Sequence, residues 1–141
     1  MARPLLLLLC VAGFLAVSSR TAVADTIEVL RWQKRIVLIF AADRSALETQ
    51  AALFREDEAG LPERDLLVLA VTGDDMSAIY GRPPAAEDAA SLRRRYDVSP
   101  DGFTALLIGK DGGVKWRTNA PMTTDALFAR IDAMPMRQSG G

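Results

Sequence analysis

Side chains able to do chemistry are few in kind in this sequence. It carries 17 Lys and Arg, 18 Asp and Glu, one cysteine and no histidine. Without histidine there is neither a Ser-His-Asp triad nor a Cys–His pair. One cysteine, Cys10, makes neither an intramolecular disulfide nor a zinc cluster. Reactive groups are therefore limited to carboxylates, arginines, lysines and hydroxyls. A net charge of −1 also removes the electrostatic case for nucleic acid, which needs a basic face.

The polar candidates fall in three segments, 42–45, 73–84 and 99–104, each placed at the end of an apolar run or before the next one. They are Asp43, Arg44, Asp74, Asp75, Tyr80, Arg82 and Asp101, with Phe103 and Thr104 beside them. Arg44 or Arg82 suits bidentate pairing with a ligand carboxylate or phosphate. A helix starting beside Arg44 would favour an anion for the same electrostatic reason. The plainer account is that Asp43 caps, Arg44 is solvated and 73–84 is only a loop. Asp74, Asp75 and Asp101 offer oxygens of the kind calcium prefers, but no loop pattern supports a site and no metal is expected. Ser45 and Thr104 lack a histidine base, and Lys34, Lys110 and Lys115 are expected elsewhere. Arg93-Arg94-Arg95 reads as a solvated helix face, or as a dock for an acidic partner. Of the two tryptophans, Trp116 is the better partner anchor, because it sits on an expected edge strand; Trp32 precedes the first strand.

These segments must be positioned by one domain. The chain has 141 residues, of which 50% are hydrophobic and 25% charged, a globular composition. Ile36-Val37-Leu38-Ile39-Phe40-Ala41 is a strand buried on both faces. Ser45-Ala46-Leu47-Glu48 fits a capping box, and Leu47, Ala51 and Phe54 continue a helix that Gly60 and Pro62 stop. Residues 66–71 form a second strand, and residues 73–84 a turn-rich loop. Ala85, Ala89, Leu92 and Tyr96 mark a second helix. Residues 103–108 form a third strand, and Asp111-Gly112-Gly113 turns it into a fourth, over 114–117. Thr123 or Thr124 caps a last helix that Pro135 ends, leaving 137–141 as a disordered tail. The order is β-α-β-α-β-β-α, a single α/β domain with a four-stranded mixed sheet. Its right-handed parallel crossover and closing hairpin favour a thioredoxin-like arrangement over 25–136.

Before the domain, Arg3 precedes an apolar run over 5–17, and Ala22-Val23-Ala24 offers small residues to a signal peptidase. Residues 1–24 therefore read as a secretory signal cleaved before Asp25. The run is shorter than the roughly 20 residues that span a bilayer, so no membrane association is expected after cleavage. Fourteen of the 17 basic residues are arginine, as a GC-rich bacterial genome would encode. The periplasm is the expected destination, with the extracellular space as the alternative.

The blocks Trp32-Gln33-Lys34-Arg35-Ile36-Val37-Leu38-Ile39-Phe40-Ala41-Ala42-Asp43 and Asp101-Gly102-Phe103-Thr104-Ala105-Leu106-Leu107-Ile108-Gly109-Lys110-Asp111-Gly112-Gly113-Val114-Lys115, with the ending Ile131-Asp132-Ala133-Met134-Pro135, resemble the domain of unknown function 4174 family. The resemblance spans most of the chain beyond residue 25. It departs at Ala42, where the family commonly has proline. It implies a bacterial, exported domain, found also in animal extracellular sushi-repeat proteins, with a thioredoxin-like, peroxiredoxin-related fold and no established activity. Thioredoxin-like enzymes place a reactive cysteine where a helix N-terminus lowers its pKa. The matching stretch here, Ala42-Asp43-Arg44-Ser45-Ala46-Leu47, has no sulfur. The place of their cis-proline reads Gly102-Phe103-Thr104.

Thiol–disulfide and peroxidase chemistry are thus excluded for a chain cleaved after residue 24, and no cofactor is expected. The expected function is recognition of a protein or of an anionic small molecule. The rivals are a cysteine-independent hydrolase or transferase using Asp43 or Asp101, and a structural accessory subunit.

Overall fold

A computed structural model describes residues 26–139. The expected signal segment, Cys10 and the last two glycines lie outside the described residues. A short 3-10 turn, Ile27–Leu30, leads into β1 (Arg35–Ala41), α1 (Arg44–Arg55), α2 (Gly60–Glu63), β2 (Leu66–Thr72) and β3 (Asp75–Tyr80). Then follow α3 (Ala89–Tyr96), β4 (Phe103–Ile108), β5 (Val114–Thr118), α4 (Thr124–Asp132) and α5 (Pro135–Gln138). The strands form one mixed sheet in the order β3-β2-β1-β4-β5. β1 and β2 are parallel, and the other three pairings are antiparallel.

β1 dictates this layout. All seven of its residues are buried, so both faces of the sheet must be covered. Val37 and Ile39 pack with Phe54 of α1, Leu61 of α2, and Leu127, Phe128 and Ile131 of α4. Ile36, Leu38 and Phe40 point the other way, against Ala89 and Leu92 of α3, Val98 and Ile27. The result is three layers, helix–sheet–helix.

The sheet has five strands, not four. Residues 75–80, expected within a loop, return along β2 as β3, in register from Thr72↔Asp75 to Val68↔Tyr80 with an irregularity near Leu69. The turn between them is two residues long, and Gly73 supplies the positive φ of +59° that such a hairpin needs. β3 escapes a pattern search because it is an edge strand, half exposed, without clean alternation. The sequence offered both Asp43 and Ser45 as the cap of α1. Asp43, not Ser45, caps α1, its side chain accepting from the Ala46 N–H at 2.8 Å. α1 ends at Arg55, well before Gly60. Gly60 is instead a packing glycine, since a Cβ there would lie 2.4 Å from Cε2 of Phe128. Of the expected tail over 137–141, residues 137–139 are among those described, and the chain turns into a short helix, α5, at Pro135. Arg137 donates to the Glu63 carbonyl at 2.9 Å and pairs with Asp132 at 3.5 Å.

One buried polar residue ties α1 to the segment that leads into α4 within the same layer. The Gln50 side chain of α1 is fully buried; its Nε2 donates to the Met122 carbonyl and its Oε1 accepts from the Met122 N–H, each at 2.7 Å. This amide clamp fixes the approach to α4. Replacing it by Ala leaves two buried backbone groups unsatisfied. Gln50→Ala should therefore lower unfolding free energy by about 2 kcal/mol or more, measured by urea denaturation. A loss below about 0.5 kcal/mol would mean that water replaces the clamp.

Candidate functional site

The parallel strands β1 and β2 finish at one end of the sheet, where antiparallel β4 begins: Ala41 pairs with Phe103, and the Ala42 N–H donates to the Gly102 carbonyl at 2.8 Å. Asp43, Arg44, Asp74, Asp75, Asp101, Phe103 and Thr104 therefore share this end. Tyr80 and Arg82 do not join them. Tyr80 pairs with Val68 and Asp75 with Thr72, so β3 carries Tyr80 and the following Arg82 to the opposite end of the sheet. A six-residue strand spans about 20 Å, too far for a common ligand contact.

Within the shared end the roles separate. Asp43 is occupied as the cap of α1. Asp101 is exposed on the approach to β4, with its own N–H donating to Ser99 Oγ at 3.2 Å. Phe103 is half-buried and packs against the core on the α1 side. Thr104 Oγ1 faces Asn119 Oδ1 at 3.4 Å, across the β4–β5 pair. Arg44, exposed in the first turn of α1, lies where two clefts meet. One, of about 260 Å³, runs between α1 and β3 over Leu47, Ala51, Phe54 and Leu61, with Ala78 and Ile79 on its far wall and Glu48, Arg55 and Glu58 among its polar lining. The other, of about 210 Å³, is lined by Arg44, Leu47, Thr72, Asp75 and Ser77. In it the buried Thr72 Oγ1 has no hydrogen-bond partner. Together they make a groove with an apolar floor and charged rim, bounded on one side by the outermost strand of the sheet.

Trp116 is not the free anchor that its edge position suggests. It is half-buried against the core, and the Arg130 guanidinium stacks over its ring at 4.2 Å. Trp32 is the exposed tryptophan, at 65% relative accessibility, held at a positive φ of 66° with its N–H donating to the Lys110 carbonyl at 2.7 Å. The polar Trp32-Gln33-Lys34 setting ahead of β1 was the available signal. The arginine triplet is structural in part. Arg93 donates to the Gly73 carbonyl, bracing the β2–β3 turn, and Arg95 sits 3.5 Å from the buried Glu87 carboxylate and 3.7 Å from Glu28. Among the described residues no cluster of three His, Cys, Asp or Glu side chains is placed to hold a metal ion.

Four carboxyls are held below the ordinary aspartate range. Hydrogen bonds from Lys110 to Asp65, from Ser91 to Asp88, from Lys115 to Asp111 and from Arg64 to Asp132 are the main causes. The Arg64–Asp132 contact is bidentate, at 3.0 and 2.8 Å.

The chain belongs to the family described as domain of unknown function (DUF4174), which matches residues 26–140. It is also 28% identical over 126 residues to coiled-coil domain-containing protein 80 of Danio rerio, an alignment covering 77% of this chain. This chain spans only 14% of that relative's length.

Two outcomes follow from the site's electrostatics. Asp43→Ala should cost about 1 kcal/mol of stability, with Asp43→Asn recovering most of it, in thermal or urea unfolding; loss without recovery would assign Asp43 a role beyond capping. The four depressed carboxyls are charged in the folded chain at pH values where the unfolded chain protonates them. Their contribution is therefore complete above about pH 4–5 and is lost as pH falls toward their folded-state values. With no histidine in the sequence, stability should vary little between pH 5 and 8 and fall below pH 4. A marked transition near pH 6 would contradict this.

Proposed function

We propose that this chain is an exported, redox-inactive thioredoxin-like binding module whose recognition surface is the groove between α1 and β3. The order β2-β1-β4-β5, with α1 and α4 on one face and α3 on the other, supports the thioredoxin-like reading; β3 is an addition at the edge. Export rests on Arg3, the apolar run that follows it and Ala22-Val23-Ala24. Redox inactivity follows from the residues at the start of α1. Where a thiolate would profit from the helix N-terminus, Asp43 accepts the helix N–H and Arg44 projects beside it.

The observation that carries the binding role is an edge strand, paired on one side only among the described residues, beside a cleft. The outer edge of β3 offers backbone N–H and C=O groups that no strand among the described residues takes up, and Met76, Ser77, Ala78, Ile79 and Tyr80 carry no charge to discourage pairing. An extended peptide segment of a partner protein adds to such an edge, and its alternate side chains enter the cleft over Leu47 and Phe54. Arg44 and Arg55, alternating with Glu48 and Glu58, give charged side chains of that peptide partners at the rim, with Arg44 at the mouth available to an acidic one. An enzyme working through Asp43 is disfavoured because that carboxylate is already engaged.

The test is peptide display against the purified chain. Selected binders should be extended sequences that lose about tenfold or more in affinity with Arg44→Glu and with Ala78→Lys, which puts a charge on the edge strand. Lys115→Ala, on the opposite edge, should leave affinity unchanged. Binders indifferent to both groove variants would move the surface elsewhere, and a selection that yields no binder would favour the accessory-subunit reading.

A further inference from the structure

The end of the sheet opposite the groove holds a second feature. Arg35 opens β1, the central strand, and its register against Leu66 draws it into the sheet, where it is only 4% exposed. A buried guanidinium normally sits against a carboxylate. This one forms no ion pair among the described residues. Nη1 donates to the Arg64 carbonyl at 3.0 Å. The neighbouring acids are engaged elsewhere: Asp65 by Lys110 at 2.7 Å, Asp132 by Arg64 at 2.8 Å, and Asp111 by Lys115 at 2.7 Å. Burial accordingly pulls the Arg35 guanidinium below the ordinary arginine range; Asp65 and Asp132 offset this in part, and Arg137 adds to it.

Arg35 borders a cleft of about 240 Å³ that is also lined by Gly109, Lys110, Asp111, Lys115, Met134, Pro135 and Met136; the Asp111 carboxylate there is neutralised by Lys115 at 2.7 Å. One end of this space holds three cations against the Asp111 carboxylate, and of the three only Arg35 has no ion pair among the described residues. The other is thioether and pyrrolidine, and Met136 is 47% exposed. We infer that this cleft binds a small organic carboxylate, its carboxyl group against Arg35 and Lys110 and its apolar part against Met134 and Met136. A planar carboxylate matches the guanidinium fork, and the flexible methionines accommodate an apolar tail. A fully hydrated inorganic anion gains nothing from the methionine wall. The space is below the range of drug-sized pockets, which limits the ligand to a short acid.

Isothermal titration of the purified chain with hexanoate, hexan-1-ol and inorganic phosphate tests this. Hexanoate should bind, and both the alcohol of the same chain length and phosphate should bind about tenfold more weakly or not at all. Met136→Glu alters an exposed side chain and should leave the unfolding midpoint in place while weakening hexanoate by about tenfold through charge repulsion. Arg35→Lys keeps the charge but loses the fork, and should weaken hexanoate more than it weakens the alcohol. Equal binding of alcohol and acid, phosphate binding as tightly as hexanoate, or hexanoate affinity unchanged in Met136→Glu, would overturn the assignment, as would the absence of hexanoate binding. None of these outcomes depends on the groove at the other end.

Discussion

Everything in this fold answers to the complete burial of β1. Its backbone groups are satisfied by β2 on one side and β4 on the other, and its side chains alternate between two cores. Neither core closes on apolar contacts alone. On the α1 side the Gln50 amide grips Met122. On the α3 side the Glu87 carboxylate, buried, accepts from the Ile27 N–H at 2.9 Å and pins the 3-10 turn over the sheet. The same burial carries Arg35 inward, because a charged residue that starts a central strand has no exposed edge to reach. The cationic cleft beside it is thus a consequence of where the strand begins.

A chain with no cysteine or histidine among its described residues uses its helix N-terminus differently from a redox enzyme. The partial positive charge that would stabilise a thiolate is met by the Asp43 carboxylate. That leaves Arg44 as the projecting group, at the mouth of a groove whose outer wall is the edge strand β3. In the proposed binding role the polar residues of this region serve as positioning and contact groups, and the sheet edge would supply the directional hydrogen bonds. An edge of this kind ordinarily carries lysine, proline or an inward charge. β3 carries Asp75 at its start and uncharged residues thereafter.

The strands most legible in the sequence were those with continuous apolar runs, residues 36–41, 66–71 and 103–108, since burial on both faces leaves no other composition. The Asp111-Gly112-Gly113 turn was equally legible, because Gly112 takes a φ of +83° that favours glycine. The edge strand was not. Its residues are shaped by one neighbour only, and Gly73, Gly81 and Pro83-Pro84 around it read as loop. Missing it misplaced Tyr80 and Arg82 by the length of a strand. Ser45 and Asp43 are both competent caps, and spacing alone did not choose between them. Gln50 looked like one more polar helix residue; its partner lies 72 positions along the chain. The tryptophans exchanged roles for a related reason: the Arg130 roof over Trp116 comes from α4, which no local pattern around Trp116 reveals.

The central claim, that β3 is a recognition edge, is most directly tested by amide-resolved hydrogen exchange with and without a selected peptide. In the free chain the outward-facing amides of β3 should exchange rapidly while those of β1 and β2 are protected. On binding, protection should rise along β3, with chemical-shift changes extending to Arg44 and Leu47. Protection appearing at β5 instead, or binding that leaves the β3 amides as open as before, would contradict the account.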